Sequence, residues 1–200
     1  MLGDVTIDQV EFVDGTIRVK DDPRRAVSFV EIMRAAGKQS IEAEATVKPD
    51  KKSDKARNCH SAVFAEVKVD EDLGVVRVTR LVCAVAAGRI VNPMLARSQV
   101  IGGAIMGMGM ALHEESAMDH RIGRFMTHNL ADYHVPVHAD APETEVIFVE
   151  EHDGEVSPLG IKGVGEIGVV GTAAAIANAI FHATGKRVRN LPITIDKLLD

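Results

Sequence analysis

Twelve consecutive residues, Ile101–Leu112, read Ile-Gly-Gly-Ala-Ile-Met-Gly-Met-Gly-Met-Ala-Leu, with no polar side chain on any face. A helix that is apolar all round has no side to offer water, so other elements must enclose it. Its glycines let those neighbours come unusually close. Asn92-Pro93 supplies the start, with Asn at the cap and Pro at the first helical position. Met106, Met108 and Met110 read as core filler rather than a binding box.

Strand patterns on both sides supply the enclosing layers. Over Ala62–Asp70, Val63, Ala65, Val67 and Val69 point one way and Glu66 and Lys68 the other. Asp70–Gly74 is a turn, and Val75–Ala87 returns as a second, more buried strand. Upstream, Val5–Lys20 alternates around Asp14-Gly15 and predicts a hairpin. Ser28-Phe-Val-Glu31 has capping-box form and opens a short helix that should stop near Gly37. Lys48–Asn58 is charged and reads as a solvated loop.

Downstream, the chain turns polar around Asp119–Gly123, and 115–125 is where a subdomain break would fall. Strand-like pieces follow at Phe125–Tyr133 and Glu145–Glu150, separated by a loop with Pro136 and Pro142. Thr172–Thr184 is the last strong helix, ended by Gly185, and Leu191-Pro192 closes the core. Strands and helices mix without a regular βαβ repeat, so the expected fold class is α+β, mixed sheets with packed helices. There is no internal repeat.

Composition removes several function classes. With 29 acidic against 23 basic residues and a net charge of −6, the chain has no general attraction to nucleic acid. Cys59 and Cys83 are far apart and lack Cys-x-x-Cys spacing, which argues against a zinc ribbon, a self-contained iron–sulfur cluster or a disulfide scaffold. The eight histidines are scattered without clear metal-ligand pairing. No apolar run reaches membrane-spanning length, and Met1–Asp14 lacks the order of a signal peptide. Without tryptophan and with one tyrosine, aromatic stacking is an unpromising binding mode.

Chemistry concentrates at Gly160–Gly171, Gly-Ile-Lys-Gly-Val-Gly-Glu-Ile-Gly-Val-Val-Gly, where Glu166 stands among five glycines at the mouth of an alanine-rich helix. Glycines admit close backbone approach, and a helix start offers unpaired N–H groups to anions. By itself the pattern also suits a structural turn, with Glu166 a first-turn acid facing the helix dipole.

Its neighbours give it weight. Gly88-Arg-Ile-Val-Asn-Pro93, Ala96-Arg-Ser-Gln99, Gly102-Gly103, Gly107-x-Gly109, Ala111-Leu112 and Glu114-Glu115 precede Lys162-Gly-Val-Gly-Glu166, Ala174–Asn178 and Arg189–Pro192. In that order they resemble the C-terminal part of the molybdenum-binding large subunit of the xanthine dehydrogenase and aldehyde oxidase family. The likeness is greatest to bacterial aldehyde and isoquinoline oxidoreductases and spans nearly the whole chain. It implies that 1–200 is the C-terminal portion of a molybdenum cofactor-binding domain.

The resemblance implies hydroxylation of an aldehyde or N-heteroaromatic substrate with water-derived oxygen, at a molybdenum-pterin dinucleotide of the cytosine form. Molybdenum is then held by pterin sulfurs, so the resemblance implies no protein metal ligand. Glu166 corresponds to the general base, and Gln99 to a pterin contact whose amide both donates and accepts. Lys162, Gly163, Val164 and Gly165 would line the cofactor through backbone groups, with the Lys162 ammonium as a phosphate partner. Gly102 and Gly103 would admit the cofactor or simply allow close helix packing. The bland reading of Gln99 is a surface helix residue.

The implied partners are the N-terminal half of the large subunit and subunits carrying iron–sulfur clusters and FAD, without nucleic acid or membrane. The implied location is the cytoplasm, with the periplasm as the alternative for an exported complex. Without the missing half of the site, the isolated chain is expected to be inactive. The rivals are a truncated, non-catalytic interaction domain, or a related reductase or carbon monoxide dehydrogenase subunit.

Overall fold

Asp14 and Gly15 take φ values of 46° and 74°, the doubly left-handed turn that matches the twist of a two-residue hairpin. They join β1 (Val10–Val13) to β2 (Thr16–Val19), and β3 (Asp22–Ser28) adds to β2, all antiparallel. The computed structural model describes residues 2–46 and 54–199, so the loop expected over Lys48–Asn58 lies for 48–53 outside the described residues. The chain divides into two compact units, Met1–Asp54 and Lys55–Asp200, and 115–125 lies inside the second.

In the first unit the hairpin is shorter than its pattern suggests, because Ile7–Gln9 forms a 3-10 turn before β1. β3 carries no strand pattern in the sequence. Its Pro23 is tolerated because β3 borders only β2, leaving one edge with no ladder to maintain. Helix α1 (Phe29–Ala35) has the expected reciprocal cap: the Glu31 N–H donates to Ser28 Oγ at 3.1 Å, and the Ser28 N–H donates to Glu31 Oε2 at 2.8 Å. It ends before Gly37, at φ 64°.

The second unit is built on β4 (His60–Asp70) and β5 (Val75–Ala86), an antiparallel pair from His60↔Ala86 to Asp70↔Val75. Asp70 Oδ1 accepts from the Asp72 and Leu73 N–H groups and fixes the turn. Leu81, Cys83 and Val85 are fully buried, while Phe64 on the opposite face of the sheet stays exposed. Cys83 is thus the inert, enclosed side chain its strand pattern suggested, and burial raises its thiol pKa.

Helix α2 (Pro93–Leu112) starts as expected, with Asn92 Oδ1 accepting from the Leu95 N–H at 3.0 Å. It is not enclosed all round. Ala96, Val100, Ala104, Met108 and Ala111 are buried, but Met106 and Met110 lie 57% and 43% exposed. Residues 106 and 110 are one turn apart and share a face; 108 lies on the other side of the helix. Only Met108 is core.

The stretch 113–142 holds only β6 (Met118–Asp119) and β7 (Arg124–Phe125) as strand. The longer strand expected over Phe125–Tyr133 does not form. Asn129 Oδ1 accepts from the Ala131 N–H at 2.8 Å and the Tyr133 hydroxyl donates to Glu114 at 2.7 Å, so side chains satisfy a turn instead of a ladder. The tyrosine pKa is raised by that bond to the Glu114 carboxylate. Then β8 (Glu143–Phe148) joins β5 in parallel, giving the order β4-β5-β8 with α2 inside the crossover.

Two helices close the unit: α3 (Ile167–Val170) and α4 (Thr172–Thr184), the latter stopped by Gly185 at φ 73°. Ile176 and Ile180 of α4 are buried, and α4 packs on β4 and α2. The combined stretch Ile167–Thr184 is long and apolar enough to cross a membrane by length and composition, against the expectation that no apolar run reaches that length. Gly171 interrupts it, and its buried isoleucines belong to the core cluster. The Ile193 N–H donates to the Ala111 carbonyl at 2.7 Å, binding the C-terminal segment to the end of α2. Among the described residues the fold mixes helices with three open sheets and has no closed barrel.

Candidate functional site

The close packing of α2 on α3 comes from glycines. A Cβ at Gly168 would lie 2.4 Å from the Val100 carbonyl oxygen, and one at Gly103 would lie 3.0 Å from the Val169 nitrogen. Gly103 therefore serves helix packing. Gly102, one position earlier, points to the open side, where a Cβ would meet no atom within 4 Å. Because α3 is pressed onto α2, the segment 160–166 that leads into it runs beside the first turns of α2.

Between them lies a hollow of about 230 Å³. Gln99 lines it from α2, Lys162 and Val164 line it from the glycine loop, and Arg89 and Asn92 from the turn before α2. A second hollow of about 590 Å³ adjoins it, sharing Arg89 and Ile90 and bounded by 148–154. The structure thus brings Gln99 together with two of the expected loop residues. Gly163 and Gly165 have open space on their side-chain sides. Among the described residues, the backbone N–H groups of Gly163, Val164, Gly165 and Glu166 donate no hydrogen bond within the chain.

Glu166 occupies the N-cap position of α3 with φ −106° and ψ −2°, and its side chain makes no capping bond. It is exposed, and among the described residues its carboxylate has no hydrogen-bond or ion-pair partner. It does not line the hollow that holds Gln99; it follows directly on the loop that does. An acid that caps nothing and pairs with nothing is free to act on a ligand.

Lys162 is placed differently from the phosphate partner that the resemblance suggested. Its side chain is only 4% exposed, with Nζ 2.6 Å from Glu151 and 2.9 Å from Asp153. Glu151 also accepts from the Gly88 N–H at 2.8 Å. The Lys162 bond, followed by that of Gly88, holds the Glu151 carboxyl below the usual carboxylate range. Asp153 is lowered chiefly by Lys162, and Lys162 is raised by Glu151 and then Asp153. Glu151 and Asp153 escape a sequence reading because nothing in Glu150-Glu-His-Asp153 says which acid turns inward.

These directions fix a pH response. Carboxyls lowered by folding stabilise above their unfolded pKa values and lose that contribution as pH falls through the folded ones. The raised lysine contributes below its unfolded value and stops contributing as pH rises through its folded one. The triad should therefore be intact from above the ordinary carboxylate range to below the ordinary lysine range, and fail on the acid side only as pH falls through the lowered carboxyl values. The acid limb of thermal stability against pH should be steeper in the parent than in the double variant E151Q/D153N; equal limbs would contradict the linkage.

No group of three or more His, Cys, Asp or Glu stands ready to hold a metal among the described residues. Three histidines are engaged locally: His128 with the Met126 carbonyl, His134 with that of Ala131, and His152 beside Glu150 at 3.7 Å.

Comparison with known proteins agrees with this architecture. The family model of the molybdopterin cofactor-binding domain matches residues 2–142. The chain is 58% identical over 137 residues to the aldehyde oxidoreductase molybdenum-binding subunit PaoC of Escherichia coli K12, covering 68% of this chain and 19% of that protein. It is 39% identical over 137 residues to the xanthine dehydrogenase molybdenum-binding subunit of Escherichia coli O157:H7, covering 68% and 18%. Quinoline 2-oxidoreductase from Pseudomonas putida 86 superposes with a TM-score of 0.81 at 25% identity, over 96% of this chain and 25% of that one. The chain spans about a fifth of the length of the curated relatives it matches. These relatives are molybdenum-binding subunits of oxidoreductases, and the chain belongs to the molybdopterin cofactor-binding domain family.

Proposed function

We propose that this chain forms one wall of a molybdenum-pterin dinucleotide site in a hydroxylase acting on an aldehyde or an N-heteroaromatic substrate. The observation that carries the reading is the convergence of Gln99 and the glycine loop on one hollow, followed in sequence by Glu166, whose carboxylate has no partner among the described residues.

The residues present fit such a group. Gln99 offers a donor and an acceptor to a pterin edge. The unpaired N–H groups of 163–166 suit anionic or carbonyl oxygens, and the space over Gly163 and Gly165 admits close approach. Gly102 leaves the exposed face of α2 open beside Gln99. When bound, the cofactor supplies two-electron redox chemistry at molybdenum. Glu166 would contribute the proton acceptor, its carboxylate oxygen placed to take a proton from the water that supplies the oxygen. Arg89 and the Gly163–Gly165 backbone orient what lies in the hollow.

The same proposal includes the cytosine dinucleotide form, an N-terminal half of the large subunit that completes the site, iron–sulfur and FAD subunits that carry electrons away, and a cytoplasmic location. It rests on the family membership and on the names of the relatives. The test is the chain itself. Purified residues 1–200 should hold far less than one molybdenum per polypeptide and give no substrate-dependent dye reduction. Stoichiometric metal with turnover would show that this wall suffices.

A further inference from the structure

The Lys162 triad sits where the glycine loop leaves the core, and its contacts all lead to one place. Lys162 Nζ joins Glu151 and Asp153, and Glu151 Oε2 holds the Gly88 N–H. The Arg89 N–H donates to the Gly160 carbonyl at 2.8 Å, and the Lys162 N–H donates to the Ala87 carbonyl at 3.3 Å. A Cβ at Gly88, itself at φ 64°, would fall 2.1 Å from the Gly160 oxygen. The end of β5, the loop after β8 and the start of the glycine loop are thus fastened together by backbone bonds and by one enclosed ammonium, the only one of these ties that joins both acids of the loop after β8.

Beyond that point the loop is held by few contacts. Among the described residues no backbone N–H from Gly163 to Glu166 is bonded within the chain; Val164 and Ile167 pack against the core, the Ser61 hydroxyl donates to the Ile167 carbonyl at 3.5 Å, and Gly168 presses onto Val100. Glu166 therefore stands on a short span that is entered at Lys162 and closed at 167–168. The lysine cannot also serve as a free cation for phosphate, because two carboxylates already enclose it.

We propose that Lys162 is a positioning residue: through Glu151 and Asp153 it fixes the near end of the Gly163–Gly165 span, and so the placement of the Glu166 carboxylate. This rests on the reading of Glu166 as general base. Holding a catalytic group in its reactive geometry matters steeply, since a displacement of about 1 Å can cost roughly 100-fold in rate.

The experiment uses the full-length molybdenum subunit in its complex, with K162M, K162R, E151Q and E166Q measured together. K162M should keep its molybdenum content and KM within about twofold while kcat falls by about 100-fold. Amide exchange should quicken at Gly88, Arg89 and 160–162, whose N–H groups are bonded across the fastened point, and stay unchanged in α2 and α4. K162R should recover most of the lost kcat, because its guanidinium can reach both carboxylates. If K162M does not fold, E151Q should give the same split at smaller size. Full kcat in K162M or E151Q overturns the proposal, and so does a loss of kcat that merely follows a loss of molybdenum, which would make Lys162 a cofactor ligand. E166Q separates the two ideas. Normal turnover there removes the general base, while the exchange measurement still decides whether Lys162 fastens the loop.

Discussion

Glu166→Gln in the full-length subunit should lower turnover by a factor of about 10² to 10⁴, the range over which a positioned general base contributes. Molybdenum per polypeptide should stay unchanged. The substitution keeps the size and planarity of the side chain and removes only the basic oxygen. The structure gives little reason for any other consequence, because the carboxylate is exposed, caps no N–H and pairs with no cation among the described residues. Metal analysis beside steady-state kinetics makes the comparison. If metal is lost and activity per molybdenum is kept, Glu166 is a holding group and not a base.

Gly168→Ala should strongly destabilise the second unit. The new methyl would stand 2.4 Å from the Val100 carbonyl oxygen and 3.0 Å from its carbonyl carbon, all backbone atoms that no rotamer change can move aside. α2 and α3 would have to part, and Gly103 and Gly107 of α2 meet the same neighbours, at Val169 and Thr172. Overpacking of this kind costs about 3 kcal/mol, which for a chain of this size lowers Tm by roughly 6–12 °C. Gly163→Ala is the matching control: its Cβ meets nothing within 4 Å, so the unfolding curve should barely move. Equal curves for the two variants would remove the argument that close helix approach sets these glycines.

Where one local rule decides, the sequence is readable. The Ser28 and Asn92 caps, the Asp14-Gly15 turn, the Gly185 stop and the β4-β5 hairpin all stand where their side chains predict. Features set by distant partners are not readable. β3 exists because β2 offers it a ladder, although Asp22-Pro-Arg-Arg has no alternation of its own. The 126–133 stretch looks like strand but lies where Glu114 and Asn129 satisfy it as turns. The exposed Met106 and Met110 show that an apolar sequence states only a preference for burial; the neighbours decide which face receives it. At the site, Gln99 and Glu166 announce themselves by motif. The partners of Lys162 lie 9 and 11 residues upstream on an irregular loop, and no spacing rule links them to it.

The parallel pairing of β5 with β8 has a consequence for biosynthesis. As the polypeptide leaves the ribosome, β4 and β5 can zip together at once, but the far edge of β5 must wait for Glu143–Phe148 to emerge. At roughly 5–20 residues per second that wait lasts several seconds. Throughout it an unpaired strand is exposed to any passing β-former. A nascent-chain chaperone that shields this edge until the closing strand arrives would raise the yield of correctly assembled protein.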